Sequence, residues 1–389
     1  MSTRLILPDT AGKRVSYKLG EPLTFAESPG GPKSRIVYAA AHVVCDPLAQ
    51  VNPWVDTVID WDRTIDYRRH LWRLGFGVAE SMDTAQRGMG LDWPTSLELI
   101  RRSLEAARDI PGATLACGCG TDHLSADECQ DIDGVIRAYE EQMGAIEALG
   151  GRLIIMASRA LAALATSPED YGRVYDRLLS QAREPVILHW LGDMFDPALA
   201  GYWGKADLDE AMDVCLDIVA RHANKVDGIK ISLLDADKEI AMRRRLPEGV
   251  KMYTGDDFNY PDLIAGDDRG YSHALLGILD PIAPAAAAAL AALDAGDLNA
   301  YHRIFAPTVP LARHVFAAPT RFYKTGVVFL AYLNGHQDHF TMVGGQESTR
   351  STLHLAELFR LADQAGLLRE PELAARRMTH VLATRGVEQ

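Results

Sequence analysis

Cysteine is scarce in this chain, and long apolar runs are missing from it. The five cysteines among 389 residues (Cys45, Cys117, Cys119, Cys129 and Cys215) are an odd, sparse set. That excludes a disulfide framework as the source of stability and predicts reduced thiols. No apolar run approaches the roughly 20 residues a membrane helix needs, and the opening residues 1–8 are too short for a secretory core, so a cytoplasmic protein is expected. Positive charge is also in deficit: 40 lysines and arginines stand against 53 aspartates and glutamates, a net charge of -13. Such a balance repels nucleic-acid phosphates and anionic membrane surfaces and favours a small-molecule partner. The glycines form neither a dinucleotide fingerprint nor a phosphate loop, so neither NAD nor ATP is expected and no cofactor is assigned.

What is present is enough apolar sequence for a large enzyme core, 48% of residues with 24% charged. Two short alternating stretches, Leu5-Ile6-Leu7 and Val15-Ser16-Tyr17, flank a turn and predict a hairpin or cap within residues 1–34. Short apolar runs then recur at 36–44, 75–79, 113–117, 153–157, 186–189, 228–232, 250–253 and 270–274. Helical spacing fills residues 65–74, 94–107, 135–149, 168–181, 206–220 and 238–245. Eight strand-helix units predict an α/β protein with a parallel (β/α)8 TIM barrel over residues 35–283. An Ala-rich stretch at 284–293 opens a C-terminal helical region, 284–389, interrupted near 334–345. It is expected to cover the barrel side or make an oligomer interface.

Lys230 is the most informative residue. It is a lone cation in the apolar run Gly228-Ile229-Lys230-Ile231-Ser232, and an ammonium on a buried strand loses hydration, which favours the neutral, nucleophilic amine. Carbonyl chemistry through a Schiff base follows from that placement. Lys225 and Lys238 fall outside the strand. The loop after the second strand, from Glu80 to Trp93, is too polar for core and belongs to the face where barrel chemistry collects. Within it Glu80, Ser81 and Arg87 are candidates for substrate binding, Arg87 through a guanidinium fork that matches a carboxylate. Anchoring the loop to a carboxylate of the protein is the competing role for Arg87. Asp256 and Asp257 follow the seventh strand and are candidates for binding substrate hydroxyls or tuning Lys230; capping the next turn is the competing role.

The order of Gly228-Ile229-Lys230, Gly255-Asp256-Asp257 and Gly270-Tyr271-Ser272-His273-Ala274 leading into Asp280-Pro281 resembles the dihydrodipicolinate synthase and N-acetylneuraminate lyase superfamily over residues 36–365. The segment from Gly77 to Gly88 resembles its divergent, longer, uncharacterised subgroup (domain of unknown function 993-like). The resemblance implies a class I lyase or aldolase in which Lys230 attacks a 2-oxo acid or keto-sugar carbonyl. It adds Ser272 to the substrate-binding candidates and implies a homodimer or homotetramer. Two departures matter. Where the family has a proton-relay tyrosine on the fifth strand this chain has His189, and the paired threonines of the second strand are replaced by Gly77 and Val78. A reaction other than dihydrodipicolinate synthesis is therefore expected. An imidazole, with an ordinary pKa of about 6.5, is able to move protons in the tyrosine's place.

Two alternatives remain open at this stage. His42, Asp46, Asp122, His123 and His189 fall at or beyond strand ends, where they could gather a divalent ion for a metal-dependent aldolase or isomerase. A zinc site on Cys117, Cys119, His123 and Cys129 is a weaker variant of the same idea, since alternation puts the first two thiols on one face. A non-catalytic ligand-binding barrel fits the lost tyrosine and threonines, but leaves Lys230 unexplained.

Overall fold

The computed structural model describes residues 3–25, 30–124 and 130–388. A first pair of strands, β1 (Arg4–Pro8) and β2 (Arg14–Lys18), forms an antiparallel hairpin. Eight parallel strands then close into a barrel: β3 (Val37–Ala40), β4 (Gly77–Glu80), β5 (Leu115–Cys119), β6 (Leu153–Met156), β7 (Val186–Leu191), β8 (Val226–Ser232), β9 (Lys251–Thr254) and β10 (His273–Leu276), with β10 pairing back onto β3. The runs read as near-continuous apolar sequence because both faces of each strand are covered. Ala79, Ala116, Ile154, Ile187 and Tyr253 fill the interior. Their sequence neighbours Val78, Leu115, Ile155, Leu188 and Met252 pack outward against the helices.

Each predicted run holds a strand, with one displaced. Residues 270–272 precede β10, because Gly266 and Gly270 both take positive φ and the Asp267–Gly270 bridge closes a turn there. Four of the six expected helices begin earlier than apolar spacing alone indicates, one begins at the expected Pro168 and one later, at Leu208. Trp61–Arg73 starts where the Asp60 carboxylate accepts the Arg63 amide, and Trp93–Ala107 starts where Asp92 accepts from Thr95. Capping aspartates, more than the first apolar residue, set these boundaries.

The C-terminal helices do more than cover a side of the barrel. Ala283–Asp294, Leu298–Phe305, Thr308–Val315, Tyr323–Leu333, Thr352–Gln364 and Pro371–Thr384 share one apolar core with the hairpin and the outer faces of β3 and β4. The hairpin is tied to them by Tyr17, whose hydroxyl donates to Asp363 at 2.7 Å. Helix Tyr323–Leu333 is buried along its whole length, and its first residues reach the loop after β4. There the Tyr323 and Thr84 hydroxyls share a hydrogen bond of 2.7 Å. Among the described residues no helix is long and apolar enough to cross a membrane.

Candidate functional site

Alternation along β7 and β8 decides which side chains enter the barrel. Ile187 lies in the interior cluster, so His189, two residues on, points the same way; its register partner on β8 is Lys230, whose own partner on β9 is the interior Tyr253. Lys230 and His189 are therefore neighbours on adjacent strands, both buried near the C-terminal ends where barrel enzymes place their chemistry. Glycine at 255 makes the room: a Cβ there would sit 2.8 Å from Lys230 Cε and 2.3 Å from Ser232 Oγ.

The Lys230 ammonium has no hydrogen-bond or ion-pair partner among the described residues. Burial lowers its pKa, and the charges of Asp257 and Asp83 oppose that only in part. Burial, and then the charge of Lys230, push the His189 imidazole well below its ordinary range, so it is neutral at pH 7. Its Nε2 is 3.3 Å from Ser232 Oγ, and its Nδ1 is unpaired. A cavity of about 540 Å³ is lined by Met156, by His189, the register neighbour of Lys230, and by Asp83, whose charge acts on the lysine. Leu124, Ala157, Ala160, Leu164, Leu191 and Leu199 give this cavity a largely apolar wall.

Asp257 belongs to the same group. Burial raises its carboxyl to about 7, against the lowering effects of the Ile278 amide, which it accepts at 2.8 Å, and of Lys230. The Asp257 charge in turn raises the lysine, so Asp257→Asn should lower the Lys230 pKa further. The expected result is an acid limb of the pH–rate profile displaced to lower pH, read from the rate of borohydride trapping between pH 5 and 9. An unmoved limb would mean that Asp257 does not tune the amine.

Several expected site residues are occupied elsewhere. Glu80 follows the interior Ala79 and so faces outward, where it is fully buried in a two-pronged ion pair with Arg68, 2.9 Å for each bond, and accepts from Ser103 at 2.6 Å. The Ser81 hydroxyl is buried and unpartnered, on a residue held at φ 55°. Arg87 takes the anchoring role: its fork grips Asp122 at 2.8 Å twice, and its other donors go to the Gly118 and Ser81 carbonyls and Gln142. Burial would raise the Asp122 carboxyl, but Arg87 outweighs it and holds the group low. Asp256 caps the next turn, accepting from the Phe258 and Asn259 amides. The first half of the loop after β4 is largely covered, and Gln86 reaches from it to the Val343 carbonyl at 2.8 Å under the C-terminal segment.

Ser272 precedes β10 and donates to Glu239 at 2.6 Å, between the barrel and helix Ala236–Arg243, away from Lys230. Burial raises Glu239 to about 8. A carboxyl raised in the fold but ionising near 4.3 in the unfolded chain favours the folded state at low pH; that contribution is lost as pH rises through about 8. Glu239→Gln should therefore raise Tm at pH 8 more than at pH 5, as measured by calorimetry. An equal shift at both would contradict the assignment.

The metal-ligand candidates do not converge. His42 Nδ1 is 2.8 Å from Asp280, Asp46 accepts the Leu48 amide, Asp122 is held by Arg87, His123 contacts Gln142 and Glu141, and His189 sits by Ser232. Among the described residues no three His, Cys, Asp or Glu side chains form a group able to hold a metal ion. Cys117 and Cys119 do share a face of β5, the one packed against the helices, where burial raises both thiols; Cys129 lies outside the described residues.

Two contributors escaped the sequence reading. Asp83 lines the cavity and acts electrostatically on Lys230. Lys324, from the C-terminal helix, is buried beside Asp83. Asp83 sits in a run of polar loop residues with nothing to single it out, and no local pattern links Lys324 to a strand 94 positions earlier.

These features define a (β/α)8 barrel with an unpaired lysine buried beside a neutral histidine. The chain belongs to the family described as Protein of unknown function (DUF993), whose model matches residues 5–387. No curated protein matches it. Its fold is similar to that of YagE, a prophage protein of the dihydrodipicolinic acid synthase family from E. coli K12 solved in complex with pyruvate, with a TM-score of 0.66 at 14% identity over 86% of this chain and 99% of that one. It is also similar to dihydrodipicolinate synthase from Aquifex aeolicus (TM-score 0.64, 11% identity, 86% and 99% covered). The chloride-inhibited dihydrodipicolinate synthase from Acinetobacter baumannii complexed with pyruvate gives 0.62 at 16% identity, with 86% and 99% covered.

Proposed function

We propose that this protein is a class I lyase or aldolase in which Lys230 forms a Schiff base with the carbonyl of a 2-oxo acid. The observation that carries this reading is the unpartnered, buried ammonium of Lys230 in register with His189. Burial makes the amine easier to deprotonate, which gives the nucleophile. Lys230 gives one ammonium proton to His189, and the amine nitrogen bonds to the carbonyl carbon as one N–H proton passes to the carbonyl oxygen. The proton held on His189 returns to the resulting hydroxyl, which departs as water and leaves an iminium carbon able to accept electrons when a neighbouring C–C or C–O bond breaks. His189, neutral at rest, enters as the proton acceptor, through the unpaired Nδ1. Asp257 sets the charge balance of the amine.

The leucines and alanines of the cavity wall favour a 2-oxo acid with an apolar body, while Asp83, Thr121 and Arg159 on the same wall are able to face its polar end. Sodium borohydride reduction with a panel of 2-oxo acids and keto-sugars, followed by peptide mass spectrometry, tests the proposal. A substrate-sized increment on Lys230, greatest with branched or aryl 2-oxo acids, is expected. Increments only on other lysines, or none across the panel, would overturn it.

A further inference from the structure

A second chamber, of about 240 Å³, adjoins the main cavity and shares with it Asp83, Arg87, Arg159, Leu191 and Asp196. Its remaining wall includes Arg321 and Lys324, from the C-terminal helical region. The charges do not cancel. Arg87 is committed to Asp122, and Arg159 shares its Nε with Asp196, leaving Arg159, Arg321 and Lys324 against Asp83 and Asp196 in a protein whose net charge is -13.

The donors in this chamber are only partly used. Lys324 is 5% exposed, yet among the described residues its ammonium finds as hydrogen-bond acceptors the Arg321 carbonyl at 2.9 Å and the Met89 thioether at 3.3 Å, a weak acceptor, with the Tyr323 ring 4.8 Å away, so its hydrogen-bonding capacity is poorly met. Arg321 is exposed, and its guanidinium makes no hydrogen bond among the described residues, resting 5.0 Å over Phe322. The terminal nitrogens of Arg159 are free of Asp196 and lie beside Gly88, where a Cβ would come within 3.0 Å of Nη1. Lys324 also opens the 11-residue helix Tyr323–Leu333, whose N-cap Phe322 supplies no side-chain acceptor, so the positive end of the helix adds to the field. Burial lowers the Lys324 amine to about 8, which leaves it mostly protonated at pH 7.

We infer that Arg321, Lys324 and Arg159 form an oxyanion-binding site that holds a carboxylate or phosphate of the substrate while Lys230 attacks its carbonyl. The assignment deepens the Schiff-base reading and rests on it for the identity of the carbonyl; the anion site itself is independent of imine chemistry. It also gives the C-terminal region a part in substrate selection, the part that Arg87 leaves vacant by anchoring its loop.

The test titrates the full-length protein with inorganic phosphate and, separately, with succinate at fixed ionic strength, using isothermal calorimetry, in the parent and in Arg321→Met, Lys324→Met and Lys230→Met. Binding of at least one probe is expected, weakened about ten-fold in Arg321→Met and in Lys324→Met, as loss of one charge-assisted bond implies, and retained in Lys230→Met. Preference for phosphate or for succinate distinguishes the two oxyanions. Arg321 is exposed, so its variant stays informative if Lys324→Met fails to fold. Absence of binding by both probes, or binding lost in Lys230→Met and unchanged in Arg321→Met, overturns the site. Trapping of pyruvate on Lys230 without oxyanion binding would sink this inference alone; oxyanion binding without trapping would sink the Schiff-base reading alone.

Discussion

Lys230→Met is expected to abolish borohydride trapping and reduce turnover by at least about 1000-fold, because no other lysine stands in register with His189. The same substitution should raise thermal stability. In the fold the ammonium is buried and unpartnered, and burial lowers its pKa; in the unfolded chain lysine titrates near 10.4. Below its folded pKa the native state therefore bears the full cost of the buried cation, and that cost fades as pH rises toward the unfolded value. Methionine fills a similar volume without the charge. Loss of the cation also pushes the Asp257 carboxyl further up, so at neutral pH the variant leaves a protonated acid there and no orphaned carboxylate. The gain in Tm should be largest near pH 7 and shrink toward pH 10, as followed by calorimetry. A variant that keeps its turnover refutes the nucleophile; one that loses both turnover and stability makes Lys230 a structural element of the barrel.

The barrel was legible because its strands are short apolar runs spaced by helical patterns, and the same alternation that identifies a strand also assigns its faces. Carried one step further, it separates the site residues. Ala79, Ile187 and Lys230 are interior, so Glu80 faces the helices, while His189 shares the interior with Lys230. What local pattern does not contain is the partner. Arg87 is consumed by Asp122, 35 positions away, and Asp256 by the amides that follow it. Ser272 is removed from the mouth by a two-glycine turn that delays β10. The entry of Lys324 depends on how a helix nearly a hundred residues past the nucleophile seats against the loop after β4, a tertiary fact with no local signature.

Glu80→Met should destabilise the protein by about 3–5 kcal/mol, the cost of leaving one member of a buried ion pair uncompensated. Its partner Arg68 is wholly buried and also donates to the Ala41, His42 and Thr64 carbonyls, so it holds the chain after β3 against helix Trp61–Arg73. A guanidinium tied this way has no solvent to turn to when the carboxylate is removed. Arg68→Met should cost a similar amount, since Glu80 would keep only the Ser103 hydroxyl and the Ser81 amide. The double variant should recover part of the loss, because two apolar side chains of comparable volume carry no buried charge, although the Ala41, His42 and Thr64 carbonyls lose their Arg68 donors. Urea denaturation of the four proteins measures the cycle. It also sets the substrate-binding role expected of Glu80 against the framework role of its ion pair with Arg68. A substrate-binding carboxylate would, on removal, raise KM with little change in stability, and the double variant would be no better than the single. A framework carboxylate would lower stability first and affect turnover only through the loop it braces, with activity returning when Arg68 is replaced as well. The geometry of the pair, two bonds of 2.9 Å on the helix side of β4, leads us to expect the second result.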